Sequence, residues 1–228
     1  MNASITSPSI HEENLSQPTP HSNPVFVIGA SAGGVKALQV IAENLPKDFP
    51  AAVFFVLHRK RMINTPKSTL HSILVNKSHL KVTVPEDGDP VRAGHIYLPT
   101  DDKHIRIHDN RIILSTEPSD EVWRPSINSL FRSAAREYMK NAIGILLTGK
   151  LNDGVEGLRE ITYNGGITVA QSPDDAKEPE MPFFAILNDH PSYVLPLADI
   201  PKLMCELAGF KAFSDQLSVA QKAFCQAF

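Results

Sequence analysis

Cysteine is scarce in this chain. Cys205 and Cys225 are its only two among 228 residues, and both lie near the C-terminus. So small a complement excludes a disulfide framework and a zinc ribbon, and it predicts a reducing, cytoplasmic setting. No apolar run approaches the ~20 residues a bilayer span needs, so membrane insertion is not expected. A basic stripe with interleaved aromatics is also missing. The balance of 22 Lys and Arg against 25 Asp and Glu is −3, and no nucleic-acid partner is expected. The one compact basic run, Arg59-Lys60-Arg61, reads as a local anion site or a solvated loop. Residues 1–24 lack the basic and apolar regions of a signal peptide and read as a disordered leader.

What the chain does have is a repeated alternation of apolar runs and helix-like segments. Hydrophobic residues make up 42% and charged residues 21%, the balance of an ordinary soluble globular protein with one substantial core. Val25-Phe26-Val27-Ile28 reads as a strand, and residues 35–41 carry helical spacing that ends before Pro46. The runs 51–57 and 142–147 are continuous and apolar, as in strands buried on both faces of a parallel sheet. Thr65-Pro66 would start a helix through about Leu74, and Ser126 would cap one through about Met139. Asn152-Asp153-Gly154 would open a helix that stops near Gly165-Gly166. Later signals predict a strand at 167–170, a short helix from Pro182, a strand at 193–195, and a helix capped by Asp199.

Residues 81–115 read differently, as short alternating strands broken by Asp87-Gly88, Gly94 and Asp109-Asn110, the last a two-residue hairpin turn. The whole pattern predicts an α/β domain over 25–209. Its sheet is doubly wound and mostly parallel, flanked by helices, with a small antiparallel hairpin insertion. The remainder, 210–228, forms a tail in which Phe213, Leu217, Ala220 and Phe224 recur at roughly helical spacing.

Gly29-Ala30-Ser31-Ala32-Gly33 follows the first strand directly. It fits G-x-S-x-G, in which a sharp strand-to-helix turn lifts a serine hydroxyl above a sheet edge. The following helix would aim unpaired N–H groups at that spot, where an oxyanion could be held. The same residues also make a plain tight βα turn. Strand ends in an open α/β sheet converge on the ligand site, and three of them carry Ser31, His58 and Asp153. Nucleophile, base and orienting carboxylate are the parts of an acyl-transfer triad. Taken singly, His58 also reads as a loop histidine bonded to backbone, and Asp153 as a helix cap. The order Ser, His, Asp differs from the Ser, Asp, His of α/β-hydrolases.

At these residues the chain resembles the chemotaxis methylesterase family, the CheB type. The likeness runs from Val25 to about Leu203, through Ile28-Gly29-Ala30-Ser31-Ala32-Gly33-Gly34, Leu57-His58, Glu86-Asp87-Gly88 and Gly94-His95-Ile96-Tyr97. It continues through Arg124-Pro125-Ser126, Leu130-Phe131, residues 144–149, Asn152-Asp153-Gly154, Gly166, Gln171, Met181-Pro182 and Val194-Leu195-Pro196-Leu197. The resemblance implies Ser31 as nucleophile, His58 as base and Asp153 as orienting acid. It further implies hydrolysis of glutamyl methyl esters on the cytoplasmic helical bundle of a chemoreceptor, deamidation of receptor glutamines by the same chemistry, and no cofactor or metal. Backbone N–H groups at Ala32 and around Lys150 would hold the oxyanion, with Arg124, Trp123 and Met181 at the substrate rim.

Several positions depart from the family pattern. Many relatives carry an N-terminal receiver domain of roughly 100 residues, which a 24-residue leader is too short to supply. The expectation is therefore a catalytic domain standing alone, under a separate regulatory partner. Lys150-Leu151 replaces the usual Met-Gly or Thr-Leu, Trp123 stands where His commonly precedes Arg-Pro, and Phe183 where Arg commonly follows Met-Pro.

Three other readings compete. Gly29–Gly34 with Arg59-Lys60-Arg61 could form an NADP site of an oxidoreductase, although Ser31 replaces the glycine that lets backbone approach a pyrophosphate. The altered rim could belong to a receptor-docking adaptor without activity. His104, Arg106 and His108 share one face of a strand, where a solvated hairpin face accounts for them better than a metal site.

Overall fold

The computed structural model describes residues 23–58, 69–100, 102–117 and 123–210. Most of the expected leader, the Arg59-Lys60-Arg61 run, the Thr65-Pro66 helix start and the tail with Phe213, Leu217, Ala220, Phe224 and Cys225 lie outside the described residues.

The first strand, β1 (Val25–Ala30), is buried along its whole length. It leads through Gly33, whose φ of 82° suits a residue without Cβ, into α1 (Gly34–Asn44). That helix ends as the sequence requires. Leu45 precedes Pro46 and is pushed to extended backbone, φ −81° and ψ 133°. Then come β2 (Ala52–Leu57), α2 (Thr69–Val75), β3 (Lys81–Thr83) and β4 (His95–Tyr97), followed by the hairpin β5 (His104–His108) and β6 (Arg111–Ser115). The C-terminal half contains α3 (Ile127–Tyr138), β7 (Ala142–Leu146), α4 (Val155–Tyr163), β8 (Ile167–Gln171), α5 (Glu180–Asp189), β9 (Tyr193–Leu195) and α6 (Ile200–Leu207).

Seven strands form one sheet in the order β3-β4-β2-β1-β7-β8-β9. Every pairing in it is parallel. The chain leaves β1 toward β2 on one side and returns to pair β7 on the other, so the gap between the carboxyl ends of β1 and β7 is the topological switch point, where open α/β sheets bind ligands. Side chains alternate across β1: Phe26 and Ile28 enter one apolar cluster, packed by Leu38 and Ile41 of α1 and Leu203 of α6. Val25 and Val27 enter the second, with Leu130 and Phe131 of α3 and Leu158 of α4. Burial on both faces explains why these strands read as unbroken apolar runs.

Two details differ from the sequence reading. Residues 81–115 are not one antiparallel insertion: β3 and β4 extend the main parallel sheet, and only β5 and β6 pair antiparallel. β3 and β4 have three residues each, too short for their pattern to distinguish a sheet edge from a meander. The hairpin turn itself is as expected, with Asp109 and Asn110 at φ 49° and 55°. Asp199 precedes α6 but makes no side-chain cap, because the 3₁₀ turn Leu197–Asp199 feeds straight into the helix and Pro201 removes one N–H that would need a partner. Among the described residues no helix is long and apolar enough to cross a membrane.

Candidate active site

Ser31 stands one residue beyond β1, at the switch point. Its N–H donates to the Thr148 carbonyl at 3.0 Å, which continues the β1–β7 ladder into the loop after β7. On the other side His58 N–H donates to the Ala30 carbonyl at 3.0 Å, so the residues following β1 and β2 are neighbours across the sheet edge. The Ser31 carbonyl accepts from Gly34 N–H at 2.9 Å, closing the turn into α1. No acceptor among the described residues meets the N–H of Ala32 or of Lys150. Both are therefore available to an incoming negative charge.

The third member arrives from after β7. His58 Nε2 lies 2.6 Å from Asp153 Oδ2, and the two side chains are only 3% and 7% exposed. These residues are 95 positions apart in the chain. With Nε2 engaged by the carboxylate, the imidazole can accept a further proton only at Nδ1.

Asp153 is held by more than the histidine. Oδ2 also accepts from Ile127 N–H at 2.8 Å, and Oδ1 accepts from Asn128 N–H at 3.1 Å and from Ser126 Oγ at 3.3 Å. The carboxylate thus sits on the N-terminus of α3, where unpaired amides and the helix dipole favour negative charge. Burial alone would raise its pKa. The His58 hydrogen bond and charge, with the two amides, outweigh burial and hold the carboxyl below the ordinary range.

Sequence reasoning missed how α3 and α4 lock this carboxylate. Ser126 is the expected helix cap, accepting from Ser129 N–H at 3.2 Å, and its hydroxyl also donates to Asp153. Its own N–H donates to Nδ1 of His104 at 3.3 Å. His104 is accordingly buried, 0% exposed, rather than on a solvated hairpin face, because that end of β5 tucks under the start of α3. Asn128 answers from the other direction: its Oδ1 accepts from Gly154 N–H at 3.1 Å and Gly157 N–H at 2.8 Å, capping α4. The close approach needs glycine. A Cβ at Gly29 would overlap the Ile127 side chain, and one at Gly154, where φ is 101°, would come within 2.7 Å of Ile127 Cγ2.

Thr148 ties the serine turn to the following loop. Its hydroxyl donates to the Ala32 carbonyl at 3.0 Å and accepts from Glu178 N–H at 2.9 Å, while its N–H donates to Gln171 Oε1 at 2.9 Å. Both residues stood in the family motifs, without an assigned task. Leu151, at φ 65°, donates its N–H to Glu180 Oε2 at 3.1 Å.

The rim residues divide. Trp123 stacks on His58, ring centroids 4.9 Å apart and planes 14° from parallel. Arg124 Nη1 lies 3.7 Å from Asp102 Oδ1, with its side chain partly open to solvent. Lys150 projects outward, its Nζ 3.6 Å from Glu178 Oε2. Met181 is not at the surface at all. It is fully buried, and a Cβ on Gly149 would come within 2.9 Å of both Met181 Sδ and Ser31 Cβ, so only glycine fits between the thioether and the serine turn. Phe183 on α5 is 53% exposed. Among the described residues the one cluster with donor atoms close enough for a metal is His108, Asp109 and Glu137, at the exposed hairpin end and outside this site.

Comparison with known proteins agrees with this architecture. The family model described as CheB methylesterase matches residues 26–204. The chain is 38% identical over 183 residues to protein-glutamate methylesterase/protein-glutamine glutaminase 2 of Anaeromyxobacter dehalogenans, covering 80% of this chain and 53% of the relative. A relative named protein-glutamate methylesterase/protein-glutamine glutaminase 1, from Pseudomonas fluorescens Pf-5, is 35% identical over 184 residues, 80% of this chain and 54% of its own length. The chain thus spans about half the length of the curated relatives it matches. The crystal structure of the Thermotoga maritima CheB methylesterase catalytic domain superposes with a TM-score of 0.75 at 31% identity, over 82% of this chain and 100% of that one. With the family model spanning most of its length, the chain belongs to the CheB methylesterase family.

Proposed function

We propose that the chain is a serine hydrolase that removes methyl esters from glutamates of a chemoreceptor and deamidates receptor glutamines by the same route. The observation that carries this reading is the 2.6 Å contact between buried His58 Nε2 and Asp153 Oδ2, at the strand end beside Ser31. Ser31 Oγ attacks the ester carbonyl while His58 Nδ1 takes its proton. The N–H groups of Ala32 and Lys150 receive the oxyanion. The imidazolium then returns the proton to the departing methoxy group, methanol leaves, and water repeats the cycle on the acyl-serine to give glutamate. For glutamine the leaving group is ammonia. Asp153 stays ionised throughout, fixing the tautomer and stabilising the imidazolium.

Residues 25–209 form the catalytic domain in this reading, and it acts in the cytoplasm on a helical receptor bundle under control of a separate partner. Arg124 and Lys150 face that substrate. The names of the relatives support methyl ester and glutamine as paired substrates. Methanol release from methylated receptor membranes tests the proposal. Ser31→Ala is expected to abolish it, and His58→Ala to cost on the order of 10³-fold or more in kcat/KM. Receptor binding with no Ser31-dependent methanol release would favour an inactive adaptor instead.

A further inference from the structure

His58 is delivered by the last turn of backbone after β2, and Asp153 grips only one edge of its ring, at Nε2. One hydrogen bond at one edge does not by itself fix the plane of the ring, and a tilt about that bond would redirect Nδ1, the nitrogen left to take a proton. A second restraint lies on the ring face. The indole of Trp123 lies against the face of the imidazole at 4.9 Å and within 14° of parallel. Offset-parallel aromatic pairs of this kind have a preferred geometry beyond simple burial. Trp123 also has a fixed relation to the carboxylate, since it stands three residues before Ser126, at the head of the segment whose Ser126, Ile127 and Asn128 donors hold Asp153. One stretch of chain therefore restrains the imidazole by its face and, through the carboxylate, by its edge.

We propose that Trp123 is a positioning residue: its indole, stacked on His58, fixes the plane in which the imidazole bridges Asp153 and Ser31. It acts through His58 and does not contact substrate. The inference rests on the hydrolase reading above, and it separates the proposed rim residues, leaving Arg124 and Lys150 to meet the receptor.

The test compares Trp123→Leu, which keeps apolar bulk without a flat face, with Trp123→Phe, which restores one. Two rates are measured: methanol release from methylated receptor membranes, and covalent labelling of Ser31 by a fluorophosphonate, which needs the base and no receptor. Trp123→Leu is expected to lower kcat and the labelling rate together by roughly tenfold, the order expected from losing an aromatic pair, with KM little changed. Trp123→Phe is expected to recover most of both. Labelling of Trp123→Leu at the wild-type rate, equal defects in Leu and Phe variants, or a loss confined to KM would overturn the inference while the hydrolase reading stood. Absence of Ser31-dependent labelling in the wild-type protein would overturn both. Should Trp123→Leu not fold, the imidazole proton resonances of wild-type protein, assigned by their loss in His58→Gln, decide the matter. Displacement by the indole ring current supports the stack, and random-coil positions overturn it.

Discussion

Asp153 leaves water for a position in which its side chain is 7% exposed, and burial by itself pushes a carboxyl upward. Three donors reverse that outcome: first the His58 ring, by its hydrogen bond and charge, then the Ile127 and Asn128 amides. The folded pKa ends below the ordinary value of 3.8. A depressed acid binds fewer protons folded than unfolded, so its contribution to stability is complete above about pH 4 and fades as pH falls through the lower, folded value. Asp153→Asn replaces an acceptor-only group by one whose amide hydrogens face backbone donors. The variant is expected to be less stable than wild type at pH 6, with the gap narrowing toward pH 3 in urea unfolding curves. A gap independent of pH would show that charge at 153 contributes nothing. Turnover at neutral pH should also fall by on the order of 10³-fold.

At the scale of elements, the site depends on two helices that cap each other. Asp153, just before α4, accepts from the first amides of α3, and Asn128, in the first turn of α3, accepts from Gly154 and Gly157 at the start of α4. Asn128→Ala strips α4 of its cap without touching the reacting groups. A lost cap costs about 1–2 kcal/mol, which for a domain of this size lowers Tm by about 3–6 °C. The loop carrying Asp153 loosens with it, so kcat is expected to fall while KM holds. An unchanged Tm in calorimetry would refute the reciprocal cap. Start and stop signals made α3 and α4 visible in the sequence: Ser126 as a cap for the first, Asn152-Asp153-Gly154 and Gly165-Gly166 as the bounds of the second. Their mutual capping was not visible: Asn128 on a helix surface looks like any polar residue until the fold brings Gly154 to it.

For the molecule as a whole, β1 is the keystone of the sheet. It pairs with β2 and β7 and is covered on both faces, while β3 and β9 are three-residue edges. Local opening costs most where contacts are densest. Amide hydrogen exchange is therefore expected to be slowest in 26–29 and faster in 81–83 and 193–195. Faster exchange in β1 than at the edges would mean that the serine turn sits on a yielding strand. The same arrangement explains where the site is, because β2, β3 and β4 lie to one side of β1 and β7, β8 and β9 to the other, which makes the gap between β1 and β7 the switch point.

The sequence by itself determined the alternation of elements, the parallel sheet and the three strand ends that carry Ser31, His58 and Asp153. Those follow from local periodicity and turn residues, which neighbours along the chain dictate. Tertiary structure alone decided that His58 meets Asp153 through Nε2, that Trp123 lies flat on that ring, and that Met181 is buried and not at the rim. It also decided that β3 and β4 join the main sheet and that His104 is enclosed. Each of these depends on contacts between residues far apart in the chain, where no local pattern reports which groups the folded core will bring within hydrogen-bonding distance.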